Sequence, residues 1–298
     1  MLEVKDISKK FGSVTALKDL SFSVQRGEIL GIAGLNGAGK STLISIISGI
    51  LKPDCGVVQY EGVDITRAPH NLPLTIGYVP QEIALFDGLS VRDNLNFWTA
   101  AGTRKKMRNS DDATSAPRPD RVRNALEMCA LTNVFKNKLS SLSGGMKRRA
   151  NIAAALVMAP DILVMDEPTS GLDVKNRKDI LLFIRSLVKS SVVTNSNISS
   201  HAYKSPHTAI FTSHQSGELE LICDRVILLN RGQMVFDGLF TDLPEFVRAF
   251  REIGAGGATD AGSNIFSNLD FENPTIDDIL YALGSADKYN VDKLQGRN

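Results

Sequence analysis

A chain of 298 residues with 34 basic and 33 acidic side chains has a formal charge of +1, too small for a global field that gathers nucleic acid or an anionic membrane surface. Its 43% hydrophobic and 22% charged residues are the balance of an ordinary globular protein, long enough for one full α/β core and an appendage. The opening MLEVKDISKKFG has no apolar signal core, and no apolar run approaches the roughly 18 residues that span a bilayer, so a chain soluble by itself is expected. Cys55, Cys129 and Cys223 form no CxxC pair and have no histidine at ligand spacing, so neither a disulfide framework nor a zinc site is implied, and thiols in a reducing cytosol are expected.

In chain order, LEVKDIS and LSFSVQRGEI alternate apolar and polar residues around a charged turn, the pattern of an antiparallel flank. EILGIAG (28–34), TIGYVP (75–80), DILVMDE (161–167), TAIFTSH (208–214) and RVILLN (225–230) are instead continuous apolar runs, separated by longer helical patterns such as KSTLISIISGIL. Strands of that kind are buried on both faces, so the fold class is α/β with a mostly parallel sheet. Between Phe86 and Leu142 strand signals vanish, which predicts a helical insertion. Within it DRVRNALEMCAL places Val122, Ala125, Leu126, Cys129 and Ala130 at helical spacing behind an Asp120 cap. The stretches 102–119, 190–207 and 254–264, rich in Ser, Asn, Gly, Pro and mixed charge, read as poorly ordered insertions. The last of these separates the body from a tail, in which NPTIDDILYALG predicts a helix with Pro274 in its first turn.

The motif GLNGAGKST, residues 34–42, sits between an apolar strand and a helical run, the context a phosphate loop requires. Gly34, Gly37 and Gly39 free the backbone of Leu35, Asn36 and Ala38 to wrap a β-phosphate, and the following helix adds its positive end. Lys40 would reach the β- and γ-phosphates, Ser41 would ligate Mg²⁺, and Thr42 completes the motif. A chance glycine turn is a poor account of nine consecutive positions with the right flanks.

Hydrolysis also needs carboxylates, and DILVMDEPTSGLD supplies them. Ile162 to Met165 bury a strand, and Asp166 emerges at its carboxyl end, where ligands of such sheets sit; it is expected to hold the Mg²⁺ shell through water. Glu167, pointing the other way along the strand, is the natural general base for the attacking water. Ser143 in LSSLSGGMKRR, residues 139–149, reads as the N-cap of a helix GMKRRANIAAALVM, with Gly144 and Gly145 exposing amides at its positive end.

Taken together, the phosphate loop, Gln81 after a strand, LSGGM, ILVMDEP, SGLD and His214 after the next strand, in that order, resemble the nucleotide-binding subunit of an ATP-binding cassette (ABC) transporter from about Leu2 to Gly238. The resemblance implies a P-loop NTPase core over residues 1–240 with a helical subdomain at about 86–145, and a C-terminal extension over 241–298 with a linker at about 254–264. It implies ATP and Mg²⁺ as ligands, with Gln81 sensing the metal and the water, and His214 bridging the γ-phosphate and Glu167. Phe11 would stack on adenine. Asp173 would organise a dimer seam, and Ser143, Gly144 and Gly145 of one copy would close over the ATP of a second copy, most simply in a homodimer. Met146 stands where glutamine is commonest, and LSGGM followed by basic residues is similar to ATPases of ABC-2 type exporters. The implied partner is a separate transmembrane permease, docked near Leu85 and Phe86, which would hold the chain at the cytoplasmic face of a membrane. No nucleic-acid partner is expected. A soluble ABC-type ATPase acting on a protein or nucleic acid is the alternative. A degenerate nucleotide-binding module is disfavoured because Lys40, Asp166, Glu167 and His214 are all present.

Overall fold

The computed structural model describes residues 1–66, 76–103, 118–193, 206–255 and 274–285. The expected insertions at 102–119, 190–207 and 254–264 fall largely outside these residues.

Among the described residues, ten strands form two sheets. The four-stranded sheet is the antiparallel flank: β1 (Leu2–Phe11) pairs with β2 (Val14–Val24) and with β4 (Cys55–Tyr60), and β4 pairs with β5 (Val63–Asp64). The six-stranded sheet contains β3 (Ile29–Gly34), β6 (Ile76–Val79), β7 (Ile162–Met165), β8 (Thr208–Thr212), β9 (Arg225–Asn230) and β10 (Gln233–Gly238) in the order β10-β9-β3-β8-β7-β6. Its pairings are parallel except at the β10 edge.

Alternation along these strands feeds two cores. Leu30, Ile32, Val164 and Ile210 face the side covered by the antiparallel sheet and by α1 (Lys40–Ile47). Ile29, Ala33, Leu163, Met165 and Phe211 face the other side. That side is covered by α2 (Val91–Thr103), α3 (Arg118–Met128), α4 (Gly144–Leu156), α5 (Val174–Val193), α6 (Ser216–Ile222), α7 (Leu243–Ala255) and α8 (Ile276–Ser285). Both faces of β3, β7 and β8 are therefore dry, which is why these strands read as unbroken apolar runs.

Three local expectations are corrected. Helix α3 begins at Arg118, so Asp120 lies in its first turn and is not its cap. Ala130, placed on the apolar face of that helix, lies beyond its end, exposed and with φ 54°, whereas Val122, Ala125, Leu126 and Cys129 are buried. Pro274 precedes α8 instead of entering it. Thr275 caps that helix, its hydroxyl accepting from the Asp278 amide at 3.2 Å while the Asp278 carboxylate accepts from the Thr275 amide at 3.2 Å.

Candidate nucleotide site

Four neighbouring strands end at one edge of the parallel sheet, and the predicted site residues hang from those ends: the glycine loop after β3, His214 after β8, Asp166 and Glu167 after β7, and Gln81 after β6. Because β8 lies between β3 and β7, the loop and the carboxylates start about 10 Å apart, two inter-strand spacings. A cavity of about 960 Å³ opens there. Gly34, Leu35, Asn36, Gly37, Gly39, Lys40, Ser41, Thr42, Gln81, Glu167 and His214 line it, as do Val14, Thr15 and Ala16 of the antiparallel flank.

The loop is built for an anion. Gly39 caps α1 with φ 104°, and a Cβ there would lie 2.6 Å from the Ala16 carbonyl oxygen, so only glycine closes the turn. No side chain caps α1, which leaves its first-turn amides pointing into the cavity. The Lys40 ammonium, on a side chain only 6% exposed, donates to the carbonyls of Gly34 at 2.7 Å and Leu35 at 3.2 Å. Burial lowers its pKa, opposed by the negative charges of Glu167 and Asp166. Ala38 is buried beneath the loop.

Asp166 and Glu167 are held by a residue that sequence reasoning did not single out. Thr212, fully buried at the end of β8, donates its hydroxyl to Asp166 Oδ1 at 2.7 Å and accepts the Glu167 amide at 2.9 Å. One side chain at the end of the strand between β3 and β7 thus fixes both acids. Ser41 Oγ lies 3.4 Å from the same Asp166 oxygen, the hydroxyl–carboxylate pair that suits a hard divalent cation. Glu167 does not follow strand alternation as expected. Strand β7 stops at Met165, and the backbone at Glu167 turns to φ 42°, aiming the carboxylate across the cavity. There Gln81 Nε2 donates to Glu167 Oε2 at 3.1 Å, and His214 Nδ1 stands 3.4 Å from Oε1. The side chain of Glu167 is 17% exposed and that of His214 52%.

Ser143 caps α4 as expected, its Oγ accepting from the Met146 amide at 3.3 Å. Gly145 is buried against α5, where a Cβ would lie 2.9 Å from Asn176 Oδ1 and the Asn176 side chain would have to shift. Neither Ser143, Gly144 nor Gly145 is among the residues lining the cavity, and Ser143, Gly144 and Met146 are exposed. Asp173 caps α5 through the Asn176 amide at 3.0 Å, and that bond holds its carboxyl below the usual range. Phe11 is half exposed at the end of β1; it does not line the cavity itself, but Val14, its partner across the strand pair, does.

Buried Arg148 of α4, also missed in the sequence, joins the turn to the site. It donates to the carbonyls of Pro80 at 3.1 Å, Gln81 at 2.7 Å and Ser170 at 3.4 Å, while Asn151 Nδ2 reaches Pro80 and Glu82 at 3.3 and 3.4 Å. A KRR run near a glycine turn reads as solvated charge, and nothing in the run marks its middle member as the buried one.

The ABC transporter family pattern matches residues 17–170. The linearmycin resistance ATP-binding protein LnrL of Bacillus subtilis is 39% identical over 82% of this chain and 70% of its own length. The doxorubicin resistance ATP-binding protein DrrA of Mycobacterium tuberculosis is 32% identical over 78% of this chain and 63% of its own. Among solved structures, a dimeric post-hydrolysis state of the ATP-binding cassette MJ0796 bound to ADP and Pi is 25% identical with TM-score 0.63, covering 80% of this chain and 98% of that one. The chain belongs to the ABC transporter family and is an ATP-binding ATPase.

Proposed function

We propose that this chain is the motor subunit of an ABC exporter, in which two copies close over two Mg-ATP and drive a separate transmembrane subunit. The observation that carries this reading is the placement of the capped turn at Ser143. It is a helix N-terminus, suited to an anion, with Ser143 and Gly144 exposed, yet neither they nor Gly145 line the cavity of their own subunit. A second copy meeting this one head to tail covers that cavity with its own Ser143, Gly144 and Gly145. That the similar cassette MJ0796 is dimeric in a post-hydrolysis state with ADP and Pi bound supports the pairing of two copies.

Ser41 and Asp166, with Gln81 beside them, would hold Mg²⁺, whose charge would offset that building on the phosphates. Lys40 and the α1 amides bind the β- and γ-phosphates, and Phe11, across the strand pair from Val14, serves the adenine. Glu167 takes the proton of the attacking water as its oxygen bonds to the γ-phosphorus and the bond to the ADP oxygen breaks, releasing ADP and inorganic phosphate. Gln81 and His214 fix the two Glu167 oxygens so that the carboxylate faces the water. Loss of the γ-phosphate removes the contact shared between copies, and Arg148 carries that change from the turn to the Gln81 loop.

Thr212→Val keeps the shape of the side chain and removes the hydroxyl that orients both acids. It is expected to lower kcat about tenfold with a smaller change in KM, and to cost about 1–3 kcal/mol of stability as the Glu167 amide loses its partner. Thr212→Ser restores both. Steady-state kinetics and thermal unfolding of the two variants check this.

The names of LnrL and DrrA, together with Met146 in LSGGM, favour export. Among the described residues no helix is long and apolar enough to cross a membrane, so the reading needs a partner that spans one. Phe86, Phe97 and Trp98 form an exposed aromatic chain after the Gln81 loop, with edge-on ring pairs at 5.1 and 5.5 Å, which suits an apolar cytoplasmic segment of that partner. Leu85, expected to share this surface, is half-buried against the core, because Asn94 pins the adjacent Phe86 amide at 2.7 Å and carbonyl at 3.0 Å and draws the turn inward. The double variant Phe86→Ala, Phe97→Asp should keep ATPase activity within about twofold but lose most co-purification with a multispan membrane protein, as hot-spot truncation does. Undiminished co-purification contradicts the docking site, and retention of the wild-type chain on a soluble scaffold contradicts the transporter reading. Transport into inside-out vesicles confirms export, and transport out of them contradicts it. Through that partner the chain is held peripherally at the cytoplasmic face.

A further inference from the structure

Helix α8 belongs to the C-terminal segment and is the last element among the described residues, yet it forms part of the ATP cavity. Its apolar face, Ile276, Ile279, Leu280 and Ala282, is at most 4% exposed and packs into the same core as Leu219 and Ile222 of α6. That anchoring turns a second edge, Asp277, Leu280 and Tyr281, to the cavity that Lys40, Glu167 and His214 also line. At this edge the Asp277 carboxylate accepts a hydrogen bond of 2.6 Å from Ser216 Oγ, two residues beyond His214 and the first residue of α6.

The other flank of the His214 turn is already fixed. Ser213 Oγ donates to buried Glu218 Oε2 at 2.6 Å, Thr169 Oγ1 donates to Glu218 Oε1 at 2.7 Å, and Arg177 stands 3.3 Å from the same oxygen. Those contacts tie residue 213 inward and leave the turn's downstream flank to residues 215 and 216. Gln215 is held from the Ser213 side, its amide donating to Ser213 Oγ at 3.0 Å and its side-chain oxygen accepting from Arg177, and it provides no side-chain cap for α6; Ser216, the next residue, is held from the cavity side by Asp277.

We propose that Asp277 is a positioning residue of the ATP site, holding the His214 turn through Ser216, so that α8 is a working wall of the site. The proposal rests on the reading of His214 given above. A carboxylate is a poor choice for the lining of a polyanion site unless it is engaged, and the Ser216 bond engages it. Since the contact is a hydrogen bond to an acceptor oxygen, charge is not needed: an amide oxygen at the same place serves as well.

The test is steady-state ATPase kinetics of the full chain carrying Asp277→Ala, Asp277→Asn, Ser216→Ala, Asp277→Ala with Ser216→Ala, or His214→Ala, with thermal unfolding followed for each. The proposal expects Asp277→Ala and Ser216→Ala each to lower kcat about tenfold with KM for ATP changed by less than about twofold, the signature of a misplaced group. The double variant should be no worse than either single one, and Asp277→Asn should restore kcat. Equal loss in Asp277→Asn and Asp277→Ala overturns it in favour of a charge effect, as does a tighter KM in both. Normal kcat in Asp277→Ala overturns it while leaving the site reading intact, provided His214→Ala is inactive. Normal turnover in His214→Ala overturns both.

Discussion

Replacing Glu167 by glutamine is expected to cut ATP turnover by about a hundredfold to ten-thousandfold, the usual contribution of a positioned general base, while ATP binding survives. The substitution is nearly isosteric, so the backbone turn with φ 42° and the Thr212 bond to the Glu167 amide at 2.9 Å remain. What is lost is the proton acceptor. An ATP that is bound but not cleaved keeps the phosphate contact between copies, so a stable dimer should accumulate with saturating Mg-ATP. Size-exclusion chromatography with light scattering reads this directly. A variant that hydrolyses ATP normally shows that the base is another group, and one that is inactive but monomeric shows that the γ-phosphate does not join two copies.

Lys40→Met should weaken ATP binding about tenfold to a hundredfold, because a charge-assisted hydrogen bond of about 1.5–3 kcal/mol is lost. The direction of the accompanying stability change separates a binding role from a structural one. Lys40 is 6% exposed and its pKa is lowered by burial, so the ligand-free protein bears a desolvation cost for holding this cation. The two carbonyls it serves, at Gly34 and Leu35, belong to the loop that would otherwise wrap phosphate. Methionine removes the cost and fills most of the space, so the ligand-free melting temperature should hold or rise as affinity falls. Isothermal titration with ATP and thermal unfolding without it make the comparison. A melting temperature that drops sharply means that Lys40 is primarily a structural pin.

The sheet was legible because its strands are buried on both faces: β9 occupies the same residues as the predicted run RVILLN, and β3, β6, β7 and β8 differ only at their ends. The phosphate loop was legible because its chemistry is confined to nine consecutive positions. Contacts between distant parts of the chain were not. Thr212 meets Asp166 across 46 residues and Arg148 meets Gln81 across 67, so no local pattern marks either as different from its neighbours. The orientation of Glu167 was missed for another reason. Alternation holds only inside a strand, and β7 ends one residue before Asp166. The tail helix was visible as a helix, but its place beside the ATP cavity depends on which core buries Ile276 and Ile279, and the periodicity of an amphipathic segment does not name its partner surface.

Cross-linking shows whether one ATP is held by the phosphate loop of one copy and the Ser143 turn of another. Leu35 and Met146 are each 41% exposed, one on the loop and the other on the turn, so a cysteine at either place leaves the folded core untouched. Two differently tagged copies, both carrying Glu167→Gln and Cys55→Ser, one with Leu35→Cys and the other with Met146→Cys, are mixed and treated with a short thiol cross-linker. An ATP shared between copies gives a cross-link between the two tags that forms with Mg-ATP and is absent with ADP. Absence of that product with ATP, or its equal formation with ADP, contradicts that sharing.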